Sequence, residues 1–134
     1  MLKRPQKQQK IVVSCIVEHD GQILLLRGSQ VNDRASSRSM GYFSIPRFTV
    51  AFGREPERVL RDAFLDYFDQ TLEEMSMIGT AQRLTDMGQT QEVEIIYRAS
   101  VPKVTGRTGK FLFVKKSDAD KYMFSGMYKK FILE

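Results

Sequence analysis

Three aspartates, Asp62, Asp66 and Asp69, share one side of a segment in which Val59, Leu60, Ala63, Phe64, Tyr67 and Phe68 recur at i, i+3 and i+4. Asp62 and Asp66 lie one helical turn apart, the spacing at which two carboxylates can serve one hard cation such as Mg²⁺ or Mn²⁺. Glu92 and Glu94 alternate with Val93 and Ile95 and so point to one face of a strand, expected to be exposed. Arg47 and Arg54 offer a different chemistry, because a guanidinium grips phosphate bidentately without a metal. The plainer expectation for the aspartates is a solvated helix face, with Asp62 within reach of Arg58.

Other chemistries are excluded. There is no Gly-x-x-x-x-Gly-Lys-Ser/Thr phosphate loop and no Cys/His cluster at metal-ligand spacing. A single cysteine allows no internal disulfide, and with a single histidine it gives little support to a thiol mechanism. Cys15 falls within the β-branched run Ile11 to Val17 and reads as a buried apolar residue. His19 sits at a turn and reads as solvent-facing. The serines at Ser29, Ser36 and Ser37 lack the strand-turn-helix setting of a nucleophile elbow.

The elements that must position these residues follow from periodicity. Asp20-Gly21 between two apolar runs predicts a hairpin of Ile11–Val17 with Gln22–Arg27. Gly28 to Met40 is a polar loop, Gly41–Ile45 a short strand closed by Pro46, and Phe48–Phe52 a further extended stretch. Pro56 to Gln70 is a helix: Pro56 suits its first turn, and Glu55 and Glu57 sit at the positive end of its dipole. Met75–Arg83 and Thr90–Val101 read as strands joined around Asp86-Met87-Gly88. Pro102–Gly109 is loop, Lys110–Lys115 a strand, Ser117 the cap of a short helix, and Met127–Leu133 an apolar segment able to dock on the body.

The 134 residues suit one domain of 11–134, preceded by a basic flexible tail of 1–10 bearing Lys3, Arg4, Lys7 and Lys10 and no acid. Residues 11–102 contain no lysine, and seven of the eleven arginines fall between Arg27 and Arg61, a balance that suits a phosphate-bearing partner. No apolar run approaches the roughly 20 residues needed to span a bilayer. A cytoplasmic protein with no membrane partner is expected.

The order strand, Asp-Gly hairpin, strand, loop, Gly41-Tyr42-Phe43-Ser44-Ile45-Pro46 and carboxylate helix resembles the Nudix hydrolase family. Members read Gly-x-Trp-x-Leu-Pro-Gly-Gly before a helix bearing Arg-Glu-x-x-Glu-Glu. Gly41, Phe43, Ile45 and Pro46 fall in register with the first part; Val50 and Gly53 fit the following loop, and Val59, Phe64 and Phe68 the buried helix positions. The resemblance covers about residues 11–125 and implies a Nudix-like α/β/α sandwich with a central mixed sheet. Family glutamates hold Mg²⁺ against a diphosphate while water attacks phosphorus. Here the paired glycines become Arg47 and Phe48, the glutamate after Gly53 becomes Arg54, Ala51 replaces the loop glutamate, and the helix acids reduce to Asp62 and Asp66. A register slipped by one residue aligns Arg61-Asp62 with Arg-Glu, but it puts Arg58 on a buried position, so the ungapped register is preferred.

The resemblance therefore implies a Nudix-fold protein with an eroded catalytic motif that binds a nucleotide or other phosphorylated ligand, with weak or no hydrolysis. Ligand-binding candidates are Arg47, Arg54 and Phe48. The alternative is a divergent pyrophosphohydrolase in which Asp66, Asp62 and Glu94 act as catalytic residues and Asp66, Asp62 and Glu55 hold Mg²⁺ or Mn²⁺. A third possibility is a scaffold that contacts RNA or a protein through its basic termini. Substrate and oligomeric state are not legible.

Overall fold

The computed structural model describes residues 7–27, 43–102, 111–122, 128 and 131–132. The expected tail at 1–6, the loop from Gly28 to Met40, Gly41 of the motif, most of the loop after Pro102 and much of the closing segment lie outside them. Strand β1 (Gln8–His19) turns at Asp20-Gly21 into β2 (Gln22–Arg27). The expected boundary at residue 10 therefore moves: Gln8, Gln9 and Lys10 belong to β1 because each is paired with β6 (Thr90–Ser100). Short strands β3 (Phe43–Ser44) and β4 (Arg47–Thr49) precede helix α1 (Pro56–Phe68). The long β5 (Glu73–Thr85) and β6 form a hairpin around a 3-10 turn at Asp86–Gly88. Strand β7 (Phe111–Lys115), a 3-10 turn at Lys116–Asp118 and α2 (Ala119–Tyr122) complete the order.

The sheet runs β3-β2-β1-β6-β5, with β4 also on β1 and β7 also on β2. It is mixed: β1 and β6 are parallel from Gln8↔Thr90 to Glu18↔Ser100, and the other pairs are antiparallel. Alternation assigns each side chain to a face. Val13, Cys15 and Val17 join Phe48, Ala99 and Val101 under Leu60, Ala63 and Phe64 of α1. Ile16, Ile23, Leu25, Ile45 and Ile96 point the other way, beneath Ala119, Tyr128 and Ile132. The two cores give the three-layer arrangement expected from the sequence.

Helix α1 starts without a side-chain cap, on Pro56, with Glu57 in its first turn. It ends two residues earlier than expected. Asp69 adopts a left-handed conformation (φ 51°), a region that aspartate visits more readily than most residues. The Asp69 and Gln70 amides donate to the carbonyls of Leu65 and Phe64. Ser117 is not the cap of a helix: it lies inside the 3-10 turn, whose cap position is Lys115. No described helix is long and apolar enough to cross a membrane.

Candidate functional site

The loop between β4 and α1 turns at Phe52-Gly53, where Gly53 has φ 83° and the Arg54 amide donates to the Ala51 carbonyl at 3.0 Å. Phe52 is fully exposed at this turn. The turn aims Arg54 along the outer face of α1, where its Nη2 meets Asp62 Oδ2 at 3.0 Å. Arg58 Nε approaches the other oxygen of Asp62 at 3.5 Å, across one helical turn, so the expected Arg58–Asp62 contact is present. Arg61 bridges Glu57 at 3.2 Å and donates to the Leu72 carbonyl at 3.1 Å. Glu55 and Asp66 are exposed and form no ion pair among the described residues. Arg58 is exposed and Val59 half-buried.

A second charged group lies on the other side of the sheet, where the sequence pattern alone does not place it. Glu92 and Glu94 are both 2% exposed, not on a solvated face. Arg47 is buried with them, donating through Nε to Glu94 at 3.0 Å and through Nη2 to Glu92. Arg83 reaches Glu92 from β5 with Nη2 at 2.6 Å and Nε at 3.1 Å. The second oxygen of Glu94 accepts from Ser14 Oγ at 2.8 Å and Tyr128 Oη at 2.6 Å. Two guanidinium groups thus balance two carboxylates. Burial alone would lower the Arg47 pKa, but Tyr128, Glu94 and Glu92 outweigh it and hold the charge in place. Burial, reinforced by Glu94, pushes the Tyr128 hydroxyl up and keeps it a neutral donor.

Arg47 pairs in register with Ser14, and Phe48 with Val13. Consecutive residues of β4 therefore point to opposite faces. Phe48 goes into the core under α1, edge-on to Phe64 and stacked on Tyr67 at 6.0 Å. Both ligand candidates that replace the family's glycines are buried side chains. The structure brings Arg54, Arg58 and Asp62 together, leaves Asp66 one turn away on the same helix, and places Glu94 across the sheet from all of them. Among the described residues no three His, Cys, Asp or Glu side chains gather as a cation site. Of the expected metal ligands, Asp62 is engaged by Arg54 and Arg58, while Glu55 and Asp66 have no ion pair among the described residues.

His19 is half-buried rather than solvent-facing: Nδ1 lies 3.0 Å from the Val101 carbonyl and Nε2 lies 3.3 Å from Asp20. Cys15 is buried as expected, and burial pushes its thiol up, so it is not a nucleophile. The buried network has one signal in the sequence, the strict alternation of Thr90, Glu92, Glu94 and Ile96. That pattern fixes a common face without saying which segment covers it.

No protein-family model matches the sequence, and no curated protein matches it. Its likeness to known proteins is in the fold. The structure of the MutT Nudix hydrolase from Burkholderia pseudomallei superposes with a TM-score of 0.71 at 14% identity, covering 95% of this chain and 97% of that one. The mutator MutT protein from Bacillus halodurans gives 0.67 at 16% identity, over 93% of this chain and 80% of that chain. The ORF135 protein of E. coli gives 0.62 at 18%, over 95% and 88%. The chain has the Nudix hydrolase fold.

Proposed function

We propose that this chain is a Nudix-fold protein with an eroded catalytic motif that binds a nucleotide or other phosphorylated small molecule at Arg54 and Arg58, with weak or no hydrolysis. The observation that carries the reading is the pairing of Asp62 with two arginines, Arg54 at 3.0 Å and Arg58 at 3.5 Å. A carboxylate in that setting is a poor metal ligand, and the cluster keeps one net positive charge, counted as Arg54 plus Arg58 minus Asp62. Magnitudes choose between the arginines. The Arg54–Asp62 pair is about half exposed, and such surface pairs contribute about 0–1 kcal/mol, so a phosphate can displace the carboxylate. Arg47 is buried between two carboxylates, and breaking such a pair costs about 3–5 kcal/mol. Ligand recognition is therefore assigned to Arg54 and not to Arg47. The fold's likeness to MutT and Nudix hydrolases supports a phosphorylated ligand.

Calorimetric titration with nucleoside di- and triphosphates in EDTA tests this. Arg54→Glu should weaken binding by about tenfold or more, equivalent to about 1.4 kcal/mol. Asp62→Asn should strengthen it, by releasing both guanidiniums and removing a like charge. A metal hydrolase built on Asp62 and Asp66 behaves in the opposite way. Mg²⁺- or Mn²⁺-dependent turnover lost in Asp62→Asn and Asp66→Asn would replace this reading with the divergent pyrophosphohydrolase.

A further inference from the structure

Phe52 is the most exposed of the large apolar side chains among the described residues. It takes the second position of the turn Ala51–Arg54, which the Arg54 amide closes on the Ala51 carbonyl. Gly53 follows at φ 83°, a left-handed value that suits glycine at the third position of a tight turn. The ring is thus held in solvent two residues from Arg54, whereas Phe48, four residues earlier, supplies the ring that packs under α1. Arg54 and Arg58 are both more than half exposed, and among the described residues they share a single carboxylate, Asp62. This pair stands in water, unlike the pairs of Arg47, and two cations meet one anion there. Glu57 is tied to Arg61. Exposed Glu55 opposes an anion at Arg54, so charge alone holds a phosphate weakly and a further contact is needed.

We infer that Phe52 is a ligand-binding residue, whose ring stacks on the base of a free nucleotide while Arg54 and Arg58 hold its phosphate. This rests on the assignment of the phosphate to those two arginines and narrows it to ligands that carry a planar aromatic group. Every base offers a π-face to an aromatic ring, so the contact needs neither a pocket nor hydrogen bonds to the base. One ring beside one net cation matches a single nucleotide; single-stranded nucleic acid is tracked by several rings along a basic groove. A protein partner fits less well, because interface anchors sit in packed apolar clusters. The chain neighbours of Phe52 are Ala51, Gly53, Arg54 and Glu55, and the exposed Leu65 and Tyr67 belong to the last turn of α1.

ATP and inorganic tripolyphosphate carry the same phosphate chain with and without a base. Calorimetric titration of the wild-type chain in EDTA should show ATP binding about fivefold or more tightly than tripolyphosphate. Phe52→Ala should remove that advantage and leave the tripolyphosphate affinity unchanged. The chain has no tryptophan, so Phe52→Trp sets a single reporter at the turn. ATP should quench its fluorescence, and tripolyphosphate should not. Because the Phe52 ring is fully exposed, neither variant should shift the melting temperature. Equal affinity of the two probes in the wild-type chain, or an ATP advantage that survives Phe52→Ala, overturns the stacking role and leaves the phosphate site standing. Failure of both probes to bind overturns the phosphate site and the stacking role together. A short oligoadenylate that binds more tightly than ATP overturns the assignment to a free nucleotide, because a strand then supplies the base.

Discussion

Arg47 and Arg54 are seven residues apart and carry the same side chain, yet burial gives them opposite parts. Arg47 compensates two buried carboxylates, so Arg47→Leu leaves Glu92 with Arg83 alone and Glu94 with no cation. The expected loss is about 3–5 kcal/mol in urea unfolding, the cost of leaving a buried charge unpaired. Tyr128→Phe removes one hydrogen bond to a charged acceptor, and about 1.5–3 kcal/mol is expected. Equal losses in the two variants would show that ion pairing does not outweigh hydrogen bonding in this network. Alkaline pH gives a second test at this scale. Cys15 is pushed up by burial from an ordinary value of 9.0, and Tyr128 from 10.0. Each holds its proton more tightly folded than unfolded. Their contribution is fully present below about pH 9 and declines above it, by about 1.4 kcal/mol per pH unit for each group that ionises only on unfolding. Stability measured from pH 8 to 11 should fall with that slope, and Cys15→Ala should delay its onset. An unchanged profile in Cys15→Ala would show that the thiol does not contribute.

At the scale of elements, the hairpin of β5 and β6 carries a removable cost. Asp86, Met87 and Gly88 all have positive φ, and Met87, at φ 57°, is fully exposed. A left-handed conformation costs a residue other than glycine about 1–2 kcal/mol. Met87→Gly gives up no packing and should raise stability by up to about 1 kcal/mol after the extra entropy of an unfolded glycine; a lower melting temperature would contradict this account. The sequence announces this turn, the Asp20-Gly21 hairpin and α1, because each is set by local chemistry: glycine and aspartate at turns, proline at a helix start, apolar residues at 3.6-residue spacing. It does not announce the cover over Glu92 and Glu94. That cover comes from Tyr128, more than thirty residues away, and a strand alternating acid with valine reads as half-solvated until its other face is known. Arg47 misleads for a related reason. Alignment to a glycine-bearing loop suggests a phosphate contact, whereas pairing of Arg47 with Ser14 in β1 points the side chain into the interior.

Across the whole molecule, the sheet separates two populations of charge. The α1 side presents Arg54, Arg58 and Asp62 to solvent, in weak pairs that the proposed phosphorylated ligand would displace. The other side holds a neutral set, Arg47, Arg83, Glu92 and Glu94, to which the Tyr128 hydroxyl is bonded through Glu94. Substitutions in the first set should change affinity with little effect on melting temperature, and those in the second should do the reverse. The parallel ladder between β1 and β6 adds a consequence for how the chain reaches this state. Its partners, from Gln8 with Thr90 to Glu18 with Ser100, are 82 positions apart in sequence. Joining them closes a loop whose length-dependent entropy alone costs about 4 kcal/mol, before either strand has gained its core. The β5–β6 hairpin is local, so it is expected to form before the β1–β6 ladder, and substitutions along β1 should change the unfolding rate more than the folding rate.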